Sequence, residues 1–227
     1  MINYWLLLAL ACMAADWVAL WKARPSVNYL TKPLALLFLM LWFWSGAGAG
    51  WLQFCFLIGF FFSLIGDAFL LLPPRYFIAA LAAFLLAHIG YLGGFIIGVQ
   101  SLTPPFWILL IAVFLVILVF VRRLVPSVRE NPRHRRMALP ILLYAGVICL
   151  MVVFALWTLF RSDWGFAAAA LASAGALLFL FSDLALAFDR FVRPLPQARL
   201  IVRVTYHLGQ LALAAGAILQ TTRVTLA

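Results

Sequence analysis

The chain has 227 residues, of which 68% are hydrophobic, 16% aromatic and 10% charged. A soluble domain is nearer half apolar and a quarter charged, so this composition excludes a soluble globular protein, a disordered tail and a disulfide scaffold. The formal net charge of +10 would suggest nucleic acid as a partner in a soluble protein. Here the basic residues fall between long apolar runs, which makes them topology signals instead, and no nucleic-acid partner is expected.

Eight apolar segments follow in chain order: Ile2–Trp21, Pro33–Trp44, Trp51–Leu72, Tyr76–Gly98, Phe106–Val121, Ala138–Phe160, Trp164–Phe188 and Arg199–Gln220. The expected fold is all-α, a polytopic membrane bundle of eight transmembrane helices forming one integral domain over 1–227. The runs are unbroken and do not alternate as barrel strands would. The second is short and can extend back into Tyr29–Lys32. Turn chemistry marks the breaks at Gly46–Gly50, Pro73-Pro74, Pro104-Pro105 and Pro194–Pro196. The first segment lacks a basic leader, so no cleaved signal peptide is expected.

Basic residues divide unequally. Fourteen lie at connections 1, 3, 5 and 7 or the adjoining helix ends, from Lys22 and Lys32 through Arg122, Arg133 and Arg136 to Arg199 and Arg203; Arg161 and Arg223 lie on the other side. By the positive-inside rule the odd connections face the cytoplasm and both termini the opposite side. The expected location is a bacterial inner membrane, or the endoplasmic reticulum in a eukaryote. The Arg-rich stretch 122–137 reads as the longest polar connection, an anionic-lipid patch separating pseudo-halves of about 1–121 and 138–227. Those halves echo each other: Gly66-Asp67 then His88 and Tyr91 in one, Ser182-Asp183 then Tyr206 and His207 in the other. Both enter from one side, as a parallel repeat would.

An ionisable side chain inside a membrane helix costs roughly 3 kcal/mol and is a functional candidate by default. Three acids qualify: Asp16, Asp67 and Asp183. Each lies five residues before the inner end of its segment, about 7–8 Å deep at the rise of an α-helix. Lys32, Tyr206, His207 and Gln210 fall near the same layer, while His88 and Tyr91 lie deeper. Gly59, Ser63, Gly66 and Asp67 form a small polar stripe facing other helices, and Gly90, Gly94 and Gly98 form a packing face. Structural readings stand beside the functional ones: Asp67 paired with Lys32, Asp183 bonded to Tyr206, Asp16 reaching Lys22, and Cys12, Cys55 and Cys149 as small core residues.

Two carboxyls in one apolar cavity resist carrying two charges, which leaves one protonated acid beside one ionised base, the pair that acid-catalysed hydrolysis needs. A site this shallow would meet the glycerol end of a lipid. The three histidines show no zinc-type spacing. A carboxylate-only lipid hydrolase fits these residues; so does a proton-coupled transporter or a lipid-binding protein without turnover.

Several stretches resemble one family: TKPL (Thr31–Leu34), GDAFLLLP (Gly66–Pro73), AAFLLAHIGY (Ala82–Tyr91), LLFLFSDLALAFDRF (Leu177–Phe191) and PLPQARLIVRVTYHLGQ (Pro194–Gln210). In order and position they are similar to the YhhN-like multi-pass membrane proteins, which include lysoplasmalogenases; Tyr144 and Met151 also look like its pattern. The resemblance implies an eight-helix hydrolase that cleaves the vinyl ether of a lysoplasmalogen. Its products would be a fatty aldehyde and glycerophosphoethanolamine or glycerophosphocholine. It implies Asp67 and Asp183 as catalytic, and Lys32, His88, Tyr91, Ser182, Tyr206 and Gln210 as substrate-binding. Water would be the co-substrate, with no metal or organic cofactor. The expected partners are the lysophospholipid and membrane lipids, with no obligate protein partner. The chain departs from the family pattern at His207.

Overall fold

The computed structural model describes residues 3–130 and 135–226. Among them are eight helices long and apolar enough to cross a membrane, and no strand. They are α1 (Tyr4–Trp21), α2 (Pro25–Gly46), α3 (Trp51–Leu71), α4 (Phe77–Ile96), α5 (Pro104–Glu130), α6 (Ala138–Trp157), α7 (Phe166–Phe191) and α8 (Ala198–Leu226). Single 3-10 turns at Pro74–Tyr76, Arg135–Met137 and Thr158–Phe160 tighten three of the junctions. The all-α, eight-helix expectation holds, and the chain is a multi-pass membrane protein.

Two helix ends differ from the sequence reading. The second segment begins at Pro25 rather than Pro33, because a proline at the first helical position gives up no hydrogen bond and α2 carries Pro33 inside it. More consequential is α5, which runs nine residues past Val121 through Arg122, Arg123 and Arg129 to Glu130. Much of the supposed connection is therefore helix. Leu124 and Val128, four apart, are buried against Ala138 and Ile141 of α6, while the arginines on the other faces are exposed. Charge was mistaken for a loop; an amphipathic stripe at helical spacing was the better signal. Arg133, counted above in that connection, lies outside the described residues.

Packing follows sequence order for the most part, α1 on α2, α3 on α4, α5 on α6 and α7 on α8, with α4 on α6 and α8 closing against α1, α2 and α3. Without a hydrophobic drive between helices in lipid, close approach rests on small residues. A Cβ on Gly90 would meet the Gly59 nitrogen at 2.8 Å, and one on Gly175 the Gly209 carbonyl oxygen at 2.7 Å. Those contacts set the α3–α4 and α7–α8 crossings. Gly98 does not extend the packing face of Gly90 and Gly94: it lies beyond the end of α4 with φ +75° and sits against Arg161 and Asp163. The left-handed backbone needed to leave the helix there favours glycine.

Candidate active site

Polar side chains converge where α1 ends, α2 begins, α3 ends, α7 ends and α8 begins. Asp67, near the end of α3, is almost wholly buried and is held by Lys32 of α2: Nζ to Oδ1 is 2.8 Å, and the same ammonium lies 3.4 Å from the Asp67 main-chain oxygen. The Asp67 Oδ2 atom is buried with no hydrogen-bond partner. Removing two charges from water is tolerable only when they neutralise each other, as these do.

Asp183 sits in a different environment. Its Oδ2 accepts a 2.5 Å hydrogen bond from the Tyr144 hydroxyl of α6 and lies 3.6 Å from His88 Nε2 of α4. His88 Nδ1 is 2.6 Å from the Phe84 carbonyl oxygen. A carbonyl only accepts, so Nδ1 carries a hydrogen, and in the neutral ring Nε2 presents its lone pair toward Asp183. His88 and Asp183 therefore face each other across room for one proton. The partner of Asp183 is Tyr144 rather than Tyr206, whose buried hydroxyl is turned to Asp67 and Gln210 instead.

Two cavities meet at this carboxyl. An apolar one lies among α4, α5, α6 and α7, walled by Phe77, Leu81, Ile117, Leu124, Ile141 and Ile148 and reached by Tyr144. A smaller polar one is lined by Lys32, Asp67, Ser182, Arg203 and Tyr206. Asp183 belongs to both walls, with Leu70, Phe84 and Leu186 completing the shared rim. Gly66 makes space for the rim: a Cβ there would fall 2.7 Å from the Phe84 ring.

The other expected site residues are distributed around this junction. Ser182 lines the polar cavity while donating 3.0 Å to the Val202 carbonyl oxygen, which ties α7 to α8. Tyr91 and Gln210 line neither cavity; they form a buried chain in which Tyr91 donates to Gln210 Oε1 at 2.6 Å and Gln210 Nε2 donates to Ser63 Oγ at 2.9 Å. That chain joins α4, α8 and α3 beneath the site. His207 is fully buried and accepts from Trp17 Nε1 at 3.0 Å.

Asp16 is not paired with Lys22. Its Oδ1 accepts from Asn28 at 2.7 Å and Thr31 at 2.8 Å, and its Oδ2 from Arg203 Nη1 at 2.5 Å. Sequence reasoning placed Arg203 among the topology charges and left Tyr144 out of the site. Both line a cavity. Arg203 could have been found by its depth, one turn inside Arg199 on the same helix; nothing in the sequence singled out Tyr144 as the partner of Asp183.

A helical membrane bundle with paired ionisable side chains between an apolar and a polar cavity defines a class, and comparison with known proteins supplies the family. Residues 27–217 match the model of the YhhN family, and the chain belongs to it. It is 36% identical to mouse lysoplasmalogenase TMEM86B over 197 residues, covering 86% of this chain and 77% of the relative. The rat TMEM86B lysoplasmalogenase is 34% identical over 196 residues, covering 86% and 75%. Human lysoplasmalogenase TMEM86A is 28% identical over 168 residues, covering 71% and 64%. No solved structure matches the chain.

Proposed function

We propose that this protein is a lysoplasmalogenase, hydrolysing the vinyl ether of lysoplasmenylethanolamine or lysoplasmenylcholine to a fatty aldehyde and the corresponding glycerophospho-alcohol. The observation that carries the reading is the position of Asp183 in the walls of both cavities. A single-chain ether lipid laid across that junction puts its hydrocarbon among Phe77, Ile117 and Ile148, its glycerol end in the polar cavity and its vinyl ether at Asp183. The names of the mouse and rat relatives support the same assignment.

The chemistry follows from the groups present. Asp183, as the acid, transfers its proton to the β-carbon of the vinyl ether, and the former double bond becomes an oxocarbenium ion. The Asp67 carboxylate, fixed by Lys32, stabilises that cation from the polar side. Water adds to the oxocarbenium carbon and gives up a proton to the Asp183 carboxylate, so the acid is restored. The hemiacetal then breaks at its ether C–O bond, leaving aldehyde and alcohol; one water is consumed. Tyr144 holds Asp183 in place through its hydroxyl, and His88 Nε2 offers a second resting place for the travelling proton.

The excess of basic residues at one end supports a polar cavity opening toward the cytoplasmic leaflet, with both termini on the other side. The test of the reaction is aldehyde release from a vinyl-ether lysolipid by detergent-purified protein, with folded Asp67→Asn and Asp183→Asn alongside. Release abolished by both substitutions is the expected result. Near-normal turnover by either variant would sink the aspartate assignment, and no release by folded wild type would sink the hydrolase reading in favour of transport or lipid binding.

A further inference from the structure

Arg203 is the least enclosed cation of the polar cavity, and the mechanism above leaves it without a task. Its side chain is 14% exposed, against 4% for Lys32. Its one hydrogen bond among the described residues is Nη1 to Asp16 Oδ2. Asp16 is itself immobilised by Asn28 and Thr31, so one corner of the guanidinium is pinned and its orientation is set. The other N–H groups of the fork remain for a ligand, on a residue that lines the cavity.

A second observation points into the same space. The Tyr206 hydroxyl, on a side chain only 4% exposed, belongs to the same wall, where its near neighbours are the Asp67 and Gln210 side chains. A hydroxyl both donates and accepts, so one on the cavity wall can also serve a ligand oxygen. Lys32 is the other cation there, but its ammonium is directed at Asp67 Oδ1. A planar fork with free donors matches the oxygens of a phosphodiester two at a time, which a lysine ammonium does not.

We infer that Arg203, with the Tyr206 hydroxyl beside it, is the subsite for the phosphodiester of a lysophospholipid headgroup, and that Asp16 is the residue positioning it. The inference rests on the lysoplasmalogenase reading for the identity of the lipid, but not for the existence of an anion subsite. It makes the protein selective for phosphorylated single-chain lipids over the corresponding alkenylglycerols.

Arg203→Gln alone would strand the buried Asp16 carboxylate and can unfold the protein. The double variant Arg203→Gln with Asp16→Asn removes both charges and keeps both shapes; Arg203→Lys keeps the charge without the fork. Cleavage of an alkenyl-glycerophosphoethanolamine and of the matching alkenylglycerol is measured for each. The expected result is a rise in KM confined to the phosphorylated substrate, with the ratio of the two kcat/KM values falling about tenfold or more in the double variant and less in Arg203→Lys. Equal losses on both substrates would overturn the subsite. Heat stability gives a second readout that needs no turnover. Saturated lysophosphatidylethanolamine should stabilise wild type more than monoacylglycerol does, and the double variant should lose that difference. Stabilisation by inorganic phosphate alone, equal to that by the lysolipid, would make Arg203 a free-anion site and overturn the headgroup assignment. If wild type cleaves neither lipid while the lysolipid still stabilises it through Arg203, the hydrolase reading fails and the subsite stands.

Discussion

Arg161, buried, and Arg203, partly exposed, lie at opposite ends of the bundle and differ in how their N–H groups are used. Arg161 donates Nε and Nη2 to the Asp163 carboxylate at 3.0 and 2.6 Å, Nη1 to the Phe95 carbonyl oxygen at 2.6 Å and Nη2 to that of Ile97. Around it Gln220 of α8 bonds both the Gly165 nitrogen and the Asp163 carbonyl oxygen. That end is sealed, with loose helix termini satisfied by one cation that bonds through all three of its nitrogens. Arg203 makes one bond and faces a cavity. A charge bonded through all three of its nitrogens acts as a fastener, whereas one bonded through a single nitrogen beside a cavity keeps donors that a ligand can use.

Substitutions at the two ends should separate catalysis from stability. The largest effect is expected from Asp183→Asn, which removes the proposed acid: aldehyde release should fall about 10³-fold, within the range for general acid catalysis, at an unchanged heat-denaturation midpoint. Lys32→Met leaves the Asp67 carboxylate buried without its counter-charge and should destabilise the protein by about 3–5 kcal/mol. Adding Asp67→Leu should restore much of that stability while the protein stays inactive, as thermal denaturation in detergent would record. Tyr144→Phe removes one hydrogen bond to a carboxyl, about 1.5–3 kcal/mol when the acceptor is charged. It should therefore lower kcat ten- to a hundredfold with little change in KM. Smallest at the site is the expected effect of Arg161→Gln: a lower denaturation midpoint, by about 1–3 kcal/mol of stability, with kcat and KM unchanged when measured well below it. A shift in KM for Arg161→Gln like that expected for Arg203 would break the contrast between the two ends.

The helices were legible because hydrocarbon admits only long apolar runs, and Asp67, Asp183 and Lys32 stood out because ionisable groups are rare in such runs. Depth counted from helix ends brought Lys32, Asp67, Asp183 and Tyr206 to one layer, and the polar cavity contains all four. What depth cannot give is the azimuth of each side chain. Tyr206 and Gln210 lie four apart on α8 near one layer, yet Tyr206 lines the cavity while Gln210 bonds Ser63 and Tyr91 outside it. Pairings between distant segments were equally hidden: Asp16 meets Arg203 across 187 positions and Asp183 meets Tyr144 across 39. The length of α5 was misread for another reason, since three exposed arginines outweighed the two buried residues, Leu124 and Val128, that make those turns amphipathic.

The two cavities that share Asp183 have a consequence for what happens after bond cleavage. In the proposed reaction the substrate is cut at the boundary between them, so its halves part into different phases. The glycerophospho-alcohol, now water-soluble, is left in the polar chamber, while the aldehyde remains among Phe77, Ile117 and Ile148, on the side where α5 is widely exposed to lipid. In that reaction the reactive carbonyl compound is delivered to the bilayer rather than to water, and return of the pair to the hemiacetal is opposed by partition alone, without a gate.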